Sequence, residues 1–113
     1  MVVLSVDGLF HAAIRIQLQE QSVSVTFTRK AITIKFPTTR RLAEFLQVPH
    51  YYILPYFAMM EQEELVTRAE RVGILTTAGG SRKMIALMEE KYPREIEEII
   101  GPTIFSEMVK RSR

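Results

Sequence analysis

Apolar side chains recur at every second position through the first third of the chain. Ile14, Ile16 and Leu18 share one parity, as do Val23, Val25 and Phe27, and again Ile32, Ile34 and Phe36. Arg15, Gln17, Ser24, Thr26, Thr33 and Lys35 fall between them. Successive side chains of a strand point to opposite faces, so this alternation predicts half-buried antiparallel strands with one face in the core. Asp7-Gly8 predicts a hairpin turn. Turns near Glu20-Gln21 and Arg29-Lys30 would complete a meander of three to four strands over residues 1–37, the first from Val2 to Val6. On its inner face, truncating Phe27 to alanine is expected to cost about 3–5 kcal/mol through lost burial and a cavity.

Beyond Pro37 the period becomes helical. Thr38 or Thr39 can accept backbone N–H bonds at a helix start, and Leu42, Phe45 and Leu46 share a face across residues 39–47. Val48-Pro49 breaks that pattern, and a second helix is expected between His50 and Glu64. Pro55 lacks an N–H and crowds the preceding turn, so it should kink this helix or open its regular part. Gly73 and Gly79-Gly80 punctuate residues 67–80, and Ser81 can cap a helix through Glu90. Tyr92 precedes Pro93 and therefore disfavours α geometry. Pro93 opens a short helix to Gly101, and Pro102 opens another. The expected fold class is α+β, one domain over residues 1–113. An N-terminal antiparallel β-meander would pack against a C-terminal helical half.

Composition narrows the function classes. The chain is 47% apolar and 25% charged, the balance of an ordinary globular protein. Without cysteine it has no disulfide, thiolate metal ligand or cysteine nucleophile. No apolar run approaches the roughly 20 residues that span a bilayer, so no membrane partner is expected. Residues 1–8 lack a positive leader and do not read as a signal peptide, which points to the cytoplasm. The absence of Asn and the single Asp fit a thermophilic, archaeal source.

Enzyme chemistry finds little material. His11 and His50 are the two histidines and Asp7 is the lone aspartate. No nucleophile-elbow, zincin or phosphate-loop motif occurs. Gly79-Gly80-Ser81-Arg82-Lys83 is too short for a phosphate loop. Glu89-Glu90 and Glu97-Glu98 are neighbours on helices, so their carboxylates diverge. His11, among apolar neighbours, reads as a structural strand residue. No catalytic residue, metal ligand or cofactor is expected.

Binding fits better. Residues 1–41 carry six basic and two acidic side chains, residues 42–101 six and ten, and residues 102–113 three and one. Such an arrangement can orient a polyanion, although scattered solvated charge explains it equally. Arg29, Lys30, Lys35, Arg40 and Arg41 lie close in sequence to His50, Tyr51, Tyr52 and Tyr56. Single-stranded nucleic acid uses that mixture, with cations along its backbone and rings beneath its bases. The polar side of the predicted sheet, with Arg15, Gln17, Thr26, Thr28 and Lys35, would serve as the platform. A solvated face beside a tyrosine-rich core edge is the plainer alternative.

Residues 40–80 carry a further pattern. Leu42-Ala43 and Leu46 precede the turn Gln47-Val48-Pro49. Ile53, Phe57 and Met60 follow at helical spacing, then Leu65-Val66 and Ile74-Leu75-Thr76-Thr77-Ala78-Gly79. This order resembles the winged helix-turn-helix family. The resemblance implies that the second helix enters the major groove and that residues from Leu65 to the Leu75–Gly80 stretch form the wing hairpin. Arg68, Arg71, Arg82 and Lys83 would then touch phosphates from the wing. Gln47 and Glu64 stand where the family often has glycine. His50, Tyr51, Leu54, Pro55 and Ala58 would face the groove, with few donors for reading base edges. The core of a plain helical hairpin would show the same apolar spacing.

The expected partner is therefore nucleic acid, DNA or RNA, bound as single strands or as duplex with low specificity. A protein-interaction adaptor and a dimeric winged-helix transcriptional regulator are the alternatives. Ile99, Ile100, Ile104, Phe105, Met108 and Val109 could join a homodimer through the C-terminal helices, or fold back over the sheet.

Overall fold

A computed structural model describes residues 4–113. In chain order these form α1 (Val6–Glu20), β1 (Val25–Phe27), β2 (Ile32–Phe36), α2 (Thr39–Leu46), α3 (His50–Gln62), β3 (Val66–Ala69), β4 (Gly73–Thr76), α4 (Ala78–Lys91), α5 (Pro93–Ile100) and α6 (Pro102–Ser112). The chain is α+β, but the expected layout of an N-terminal meander followed by helices is wrong. A helix comes first, and β3 and β4 lie between α3 and α4.

The error has a physical origin in α1. Ile14 and Leu18 are four residues apart, so the same run satisfies a strand parity and a helical face. The side chains before them decide the matter. Leu9, Ala13, Ile16 and Gln17 are all buried at i, i+4, i+7 and i+8, the stripe of an amphipathic helix. Asp7-Gly8 is not a hairpin turn but the first turn of α1, where Ser5 Oγ accepts the Gly8 N–H at 2.9 Å. Gln21, with φ 53°, closes the helix, and the N–H groups of Gln21 and Ser22 reach back to the carbonyls of Leu18 and Gln17. Of the first strand expected over Val2 to Val6, residues 2 and 3 lie outside the described residues, and Val6 opens α1. His11 likewise sits on α1, with its ring edge-on to Tyr92 at 6.4 Å.

The remaining strands form one antiparallel sheet in the order β1-β2-β4-β3. Ile32, Ile34 and Phe36 of β2 point into the core as their parity predicts, and Val23 and Val25 are half-buried. Phe27 differs. At the end of edge strand β1 it is 37% exposed, with the Arg111 guanidinium 5.4 Å from its ring centroid. The large truncation cost expected for a core phenylalanine therefore does not apply.

Strands β2 and β4 pair directly only at Lys35↔Leu75 and Phe36↔Ile74. Beyond that point buried hydroxyls continue the connection. The Ile34 N–H donates to Thr76 Oγ1 at 2.8 Å, and Thr76 Oγ1 lies 2.7 Å from Ser81 Oγ. The Ser81 hydroxyl donates to the Ile32 carbonyl. One proton direction satisfies the whole chain: amide to Thr76, Thr76 to Ser81, Ser81 to carbonyl. Ser81 is thus a buried link, not the helix cap expected of it. Thr77 caps α4 instead, accepting the Gly80 N–H at 3.1 Å.

Gly80 makes this approach possible. A Cβ placed there would stand 1.8 Å from the Leu65 carbonyl oxygen, so α4 starts directly against the backbone preceding β3. The core that results joins Leu9, Phe10 and Ile14 of α1 to Ile34, Leu42, Phe57, Met84 and Met88. Ile96 of α5 and Phe105 and Met108 of α6 are buried in it as well.

Gly80→Ala should destabilise the protein by about 1–3 kcal/mol or more through overpacking against rigid backbone. Gly79→Ala, whose Cβ meets nothing nearer than 3.7 Å, should be neutral or stabilising by up to about 1 kcal/mol. Equal denaturant midpoints for the two variants would refute the close approach. Thr76→Val should cost about 1–3 kcal/mol, because the Ile34 amide and the Ser81 hydroxyl lose a buried partner. An unchanged melting temperature would remove Thr76 from the sheet's connections.

Candidate nucleic-acid interface

Helices α2 and α3 are joined by a turn whose backbone explains its sequence. Gln47 has φ 57°, and the Val48 N–H returns to the Ala43 carbonyl at 3.1 Å. Glu64, between α3 and β3, also has φ 57°. Both take the left-handed conformation in which glycine carries no steric penalty and other residues do. Thr39 Oγ1 and His50 Nε2, at the first turns of the two helices, lie 2.7 Å apart.

Helix α3 buries Ile53, Phe57 and Met60 and turns Tyr51, Leu54, Pro55, Ala58 and Gln62 outward. Pro55 does not break the helix. It removes the amide partner of the Tyr51 carbonyl, and it does so on the exposed side, where water can take its place. Tyr51 is 64% exposed and Tyr52 49%, with their rings edge to face at 4.7 Å. The helix-turn-helix spacing placed Tyr51 but not Tyr52 on the groove-facing side, although both belong to the aromatic cluster beside the basic residues. Tyr52 adds a second accessible ring, and the signal for it was its position beside Ile53, one step off the buried face.

Strand β3 runs beside α3. The Arg68 guanidinium lies 5.1 Å from the Phe57 ring centroid, and its Nε is 3.5 Å from Glu61 Oε2. The β3–β4 turn presents Glu70, Arg71 and Val72, all exposed, with Arg71 at φ 66°. At the other end of α3, Arg40 shares a surface hollow with His50, Gln47 and Glu44. The structure thus brings Arg40, His50, Tyr51 and Arg68 to one helix, while Arg71 stands in the turn of the adjoining hairpin. His50 is half-buried and engaged with Thr39, so it ties α2 to α3 more than it offers a contact surface.

The other predicted cations lie elsewhere. Arg29 and Lys30 occupy the β1–β2 turn, at the sheet edge opposite β3. Lys35 and Arg41 line a cleft against α1, where Arg41 Nε is 3.4 Å from Glu20 Oε2. Arg82 shares a hollow with Glu61, Glu63 and Glu64. Lys83 is bound to Asp7 of α1 at 2.5 Å. The polar platform expected on the sheet does not exist, because Arg15 and Gln17 belong to α1. On the C-terminal helices, Phe105 and Met108 are buried and Ile99, Ile100 and Val109 half-buried, so Ile104 is the apolar residue of that set left exposed.

Among the described residues, no group of three or more His, Asp or Glu side chains is placed to hold a metal ion, and no helix is long and apolar enough to cross a membrane. No protein-family model matches this chain, and no curated protein matches it either.

The hydrogen bond and then the charge of Lys83 hold the Asp7 carboxyl below the usual aspartate range. A depressed carboxylate stabilises the fold above its unfolded value, about 3.9, and that contribution is lost as pH falls through the folded value. Asp7→Asn should therefore melt below wild type at neutral pH, and the two curves should converge in strong acid. A gap that persists at low pH would show that the Lys83 contact is not its cause.

Proposed function

We propose that this protein binds nucleic acid by laying α3 into the major groove of a duplex, with low sequence selectivity. The observation that carries the reading is the open outer face of α3, bracketed by Arg40 at one end and by Arg68 of the β3–β4 hairpin alongside, with Arg71 exposed in the hairpin's turn. An α-helix fits the major groove, which is about 12 Å wide. Cations at both flanks can then reach phosphates and fix its position. Between them, Tyr51, Leu54, Pro55 and Ala58 offer few groups that discriminate base edges.

The succession of α2, α3 and a two-stranded hairpin supports the resemblance to winged helix-turn-helix proteins. So do Gln47 and Glu64, which keep the backbone conformation of the glycines often found at those places. A homodimer across α6 would centre on Ile104, which is 45% exposed. The exposed pair Tyr51 and Tyr52 favours a second reading, stacking of unpaired bases.

Fluorescence anisotropy over a salt series tests the proposal, using two duplexes of unrelated sequence and a single strand. Duplex affinity should be similar for both sequences and fall steeply with salt as counterions are released. Replacing Arg40, Arg68 and Arg71 together by alanine should flatten the log–log slope by about two to three units. The Arg29→Ala, Lys30→Ala double variant should leave it unchanged. Tighter binding to the single strand, weakened by about 1–3 kcal/mol in Tyr51→Ala, would move the function to base stacking. Absence of binding at low salt would overturn nucleic acid as the partner and leave α3 as a protein-docking face.

A further inference from the structure

A second surface lies away from α3, along the outer edge of β1. This strand closes one side of the sheet, and among the described residues no element but β2 packs closely on it. The Lys35 N–H donates to the Ser24 carbonyl and the Thr28 N–H to the Ala31 carbonyl, each at 2.9 Å. Inward and outward backbone groups alternate along an antiparallel strand, so Thr26 faces β2 while the N–H and C=O groups of Val23, Val25 and Phe27 point away from it. Ser22 and Ser24 line the same cleft, which carries the two-residue period back to the start of the segment. Native proteins guard such an edge with charged side chains, proline or a bulge. The opposite edge strand, β3, carries Arg68 and is followed by Glu70. Residues 21–28 hold no charged residue, proline or glycine, and Phe27 among them is 37% exposed.

We infer that β1 pairs antiparallel with β1 of a second copy of this chain, about a two-fold axis at Val25. In this register Val25 faces its own counterpart and Val23 faces Phe27, so every outward N–H and C=O of the three residues gains a partner. A shift in either direction would bring into the ladder Gln21, at φ 53° on the end of α1, or Arg29, in the β1–β2 turn. The side chains are self-complementary in the same register. The exposed Phe27 of each copy lies across from Val23 of the other, an aromatic and β-branched pair of the kind that stabilises adjacent strands. The axis also sets Arg29 of one copy opposite Gln21 of the other. Gln21 lines a hollow with Glu95 and Glu98 of α5, and both carboxylates are exposed. The basic turn of Arg29 and Lys30 therefore meets an acidic rim at each end of the interface. Such complementarity selects a second copy in this orientation over a strand of arbitrary sequence. The pairing is isologous and closes at two copies. It uses neither the outer face of α3 nor Ile104, so the inference stands apart from nucleic-acid binding and from association through α6.

Sedimentation velocity of the full chain over a concentration series should show a reversible monomer–dimer equilibrium. Val25→Pro should weaken it at least about 10-fold, because both central N–H donors are lost and each ring crowds the opposing strand. The N–H removed faces away from β2, so the internal ladder is kept. The chain has no cysteine of its own, which permits a second readout. Across the axis the two Val25 Cα atoms would stand about 5.5 Å apart, within disulfide range, so Val25→Cys should give a covalent dimer on mild oxidation. Thr26→Cys, about 8 Å from its counterpart and on the other face of the sheet, should not. A chain that stays monomeric at every concentration would overturn the proposal. So would cross-linking as ready at Thr26 as at Val25, or a dimer that survives Val25→Pro and is abolished by Ile104→Glu. Should Val25→Pro fail to fold, the two cysteine variants decide the question by themselves.

Discussion

Two residue pairs are a slender join between β2 and β4, and the rest of the molecule is arranged so that they suffice. After Phe36↔Ile74 and Lys35↔Leu75 the strands part, which would leave the Ile34 amide and the Ile32 carbonyl buried and unpaired. Thr76 and Ser81 occupy that gap. Two hydroxyls arranged head to tail convert one orphan donor and one orphan acceptor into a closed hydrogen-bond chain. Buried polar groups are tolerable only when every member of such a chain is satisfied. The chain also fixes α4, because Ser81 stands on its first turn. The helix cannot shift along its axis without breaking the link to β2.

Gly80 and Thr77 extend the same constraint toward the candidate interface. The Thr77 N–H donates to the Leu65 carbonyl at 3.0 Å, its hydroxyl donates to the Glu64 carbonyl, and Gly80 lets α4 touch that segment. The junction of α3 and β3 is therefore clamped to α4 from below. Arg68 then stacks on Phe57 of α3 and pairs with Glu61, so the hairpin is held beside the helix from above. The outer face of α3 and the turn at Glu70, Arg71 and Val72 contribute little to the core. A rigid base with an uncommitted outer surface is what positioning a helix against a partner requires. It also explains how α3 can carry Tyr51, Tyr52, Leu54 and Met59 in contact with water while Ile53, Phe57 and Met60 hold its place.

The helical part of the fold was legible because its punctuation is local. Pro37, Pro49, Pro93 and Pro102 mark boundaries by removing N–H groups, and the helices begin within two residues of each. The first helix was not legible in the same way. Ile14, Ile16 and Leu18 satisfy both periods, and Asp-Gly favours a hairpin turn and a helix first turn alike. Leu9, Phe10, Ala12 and Ala13 contained the answer, since four apolar residues in a five-residue span are too dense for a half-buried strand. Ile32, Ile34 and Phe36 were read correctly from the same kind of alternation. The difference is that their β2 neighbours pair across the sheet, a nonlocal fact. Phe27 shows the complementary failure: parity assigns a face, but an edge position decides how much of that face is covered.

The candidate site was less legible than the fold, and helix geometry is the reason. Adjacent helical residues point about 100° apart, so a pair of cations in sequence is seldom a pair in space. Arg40 turns toward α3 while Arg41 turns to Glu20 and the cleft on α1. Arg82 turns toward Glu61, Glu63 and Glu64 while Lys83 crosses to Asp7. Each doublet that looked like one basic patch is divided between two environments, and all four residues have carboxylates nearby, Glu44 lining the same hollow as Arg40. What remains beside α3 is sparse: Arg40 and an Arg68 already shared with Glu61, with Arg71 in the turn of the adjoining hairpin. With so few free cations, long-range attraction to a polyanion is weak at physiological screening. Under the proposed binding mode, contact area along α3 must then supply much of the affinity. That makes the tyrosines and the flat outer face of Pro55 and Ala58 more consequential for binding than the total charge of the chain suggests.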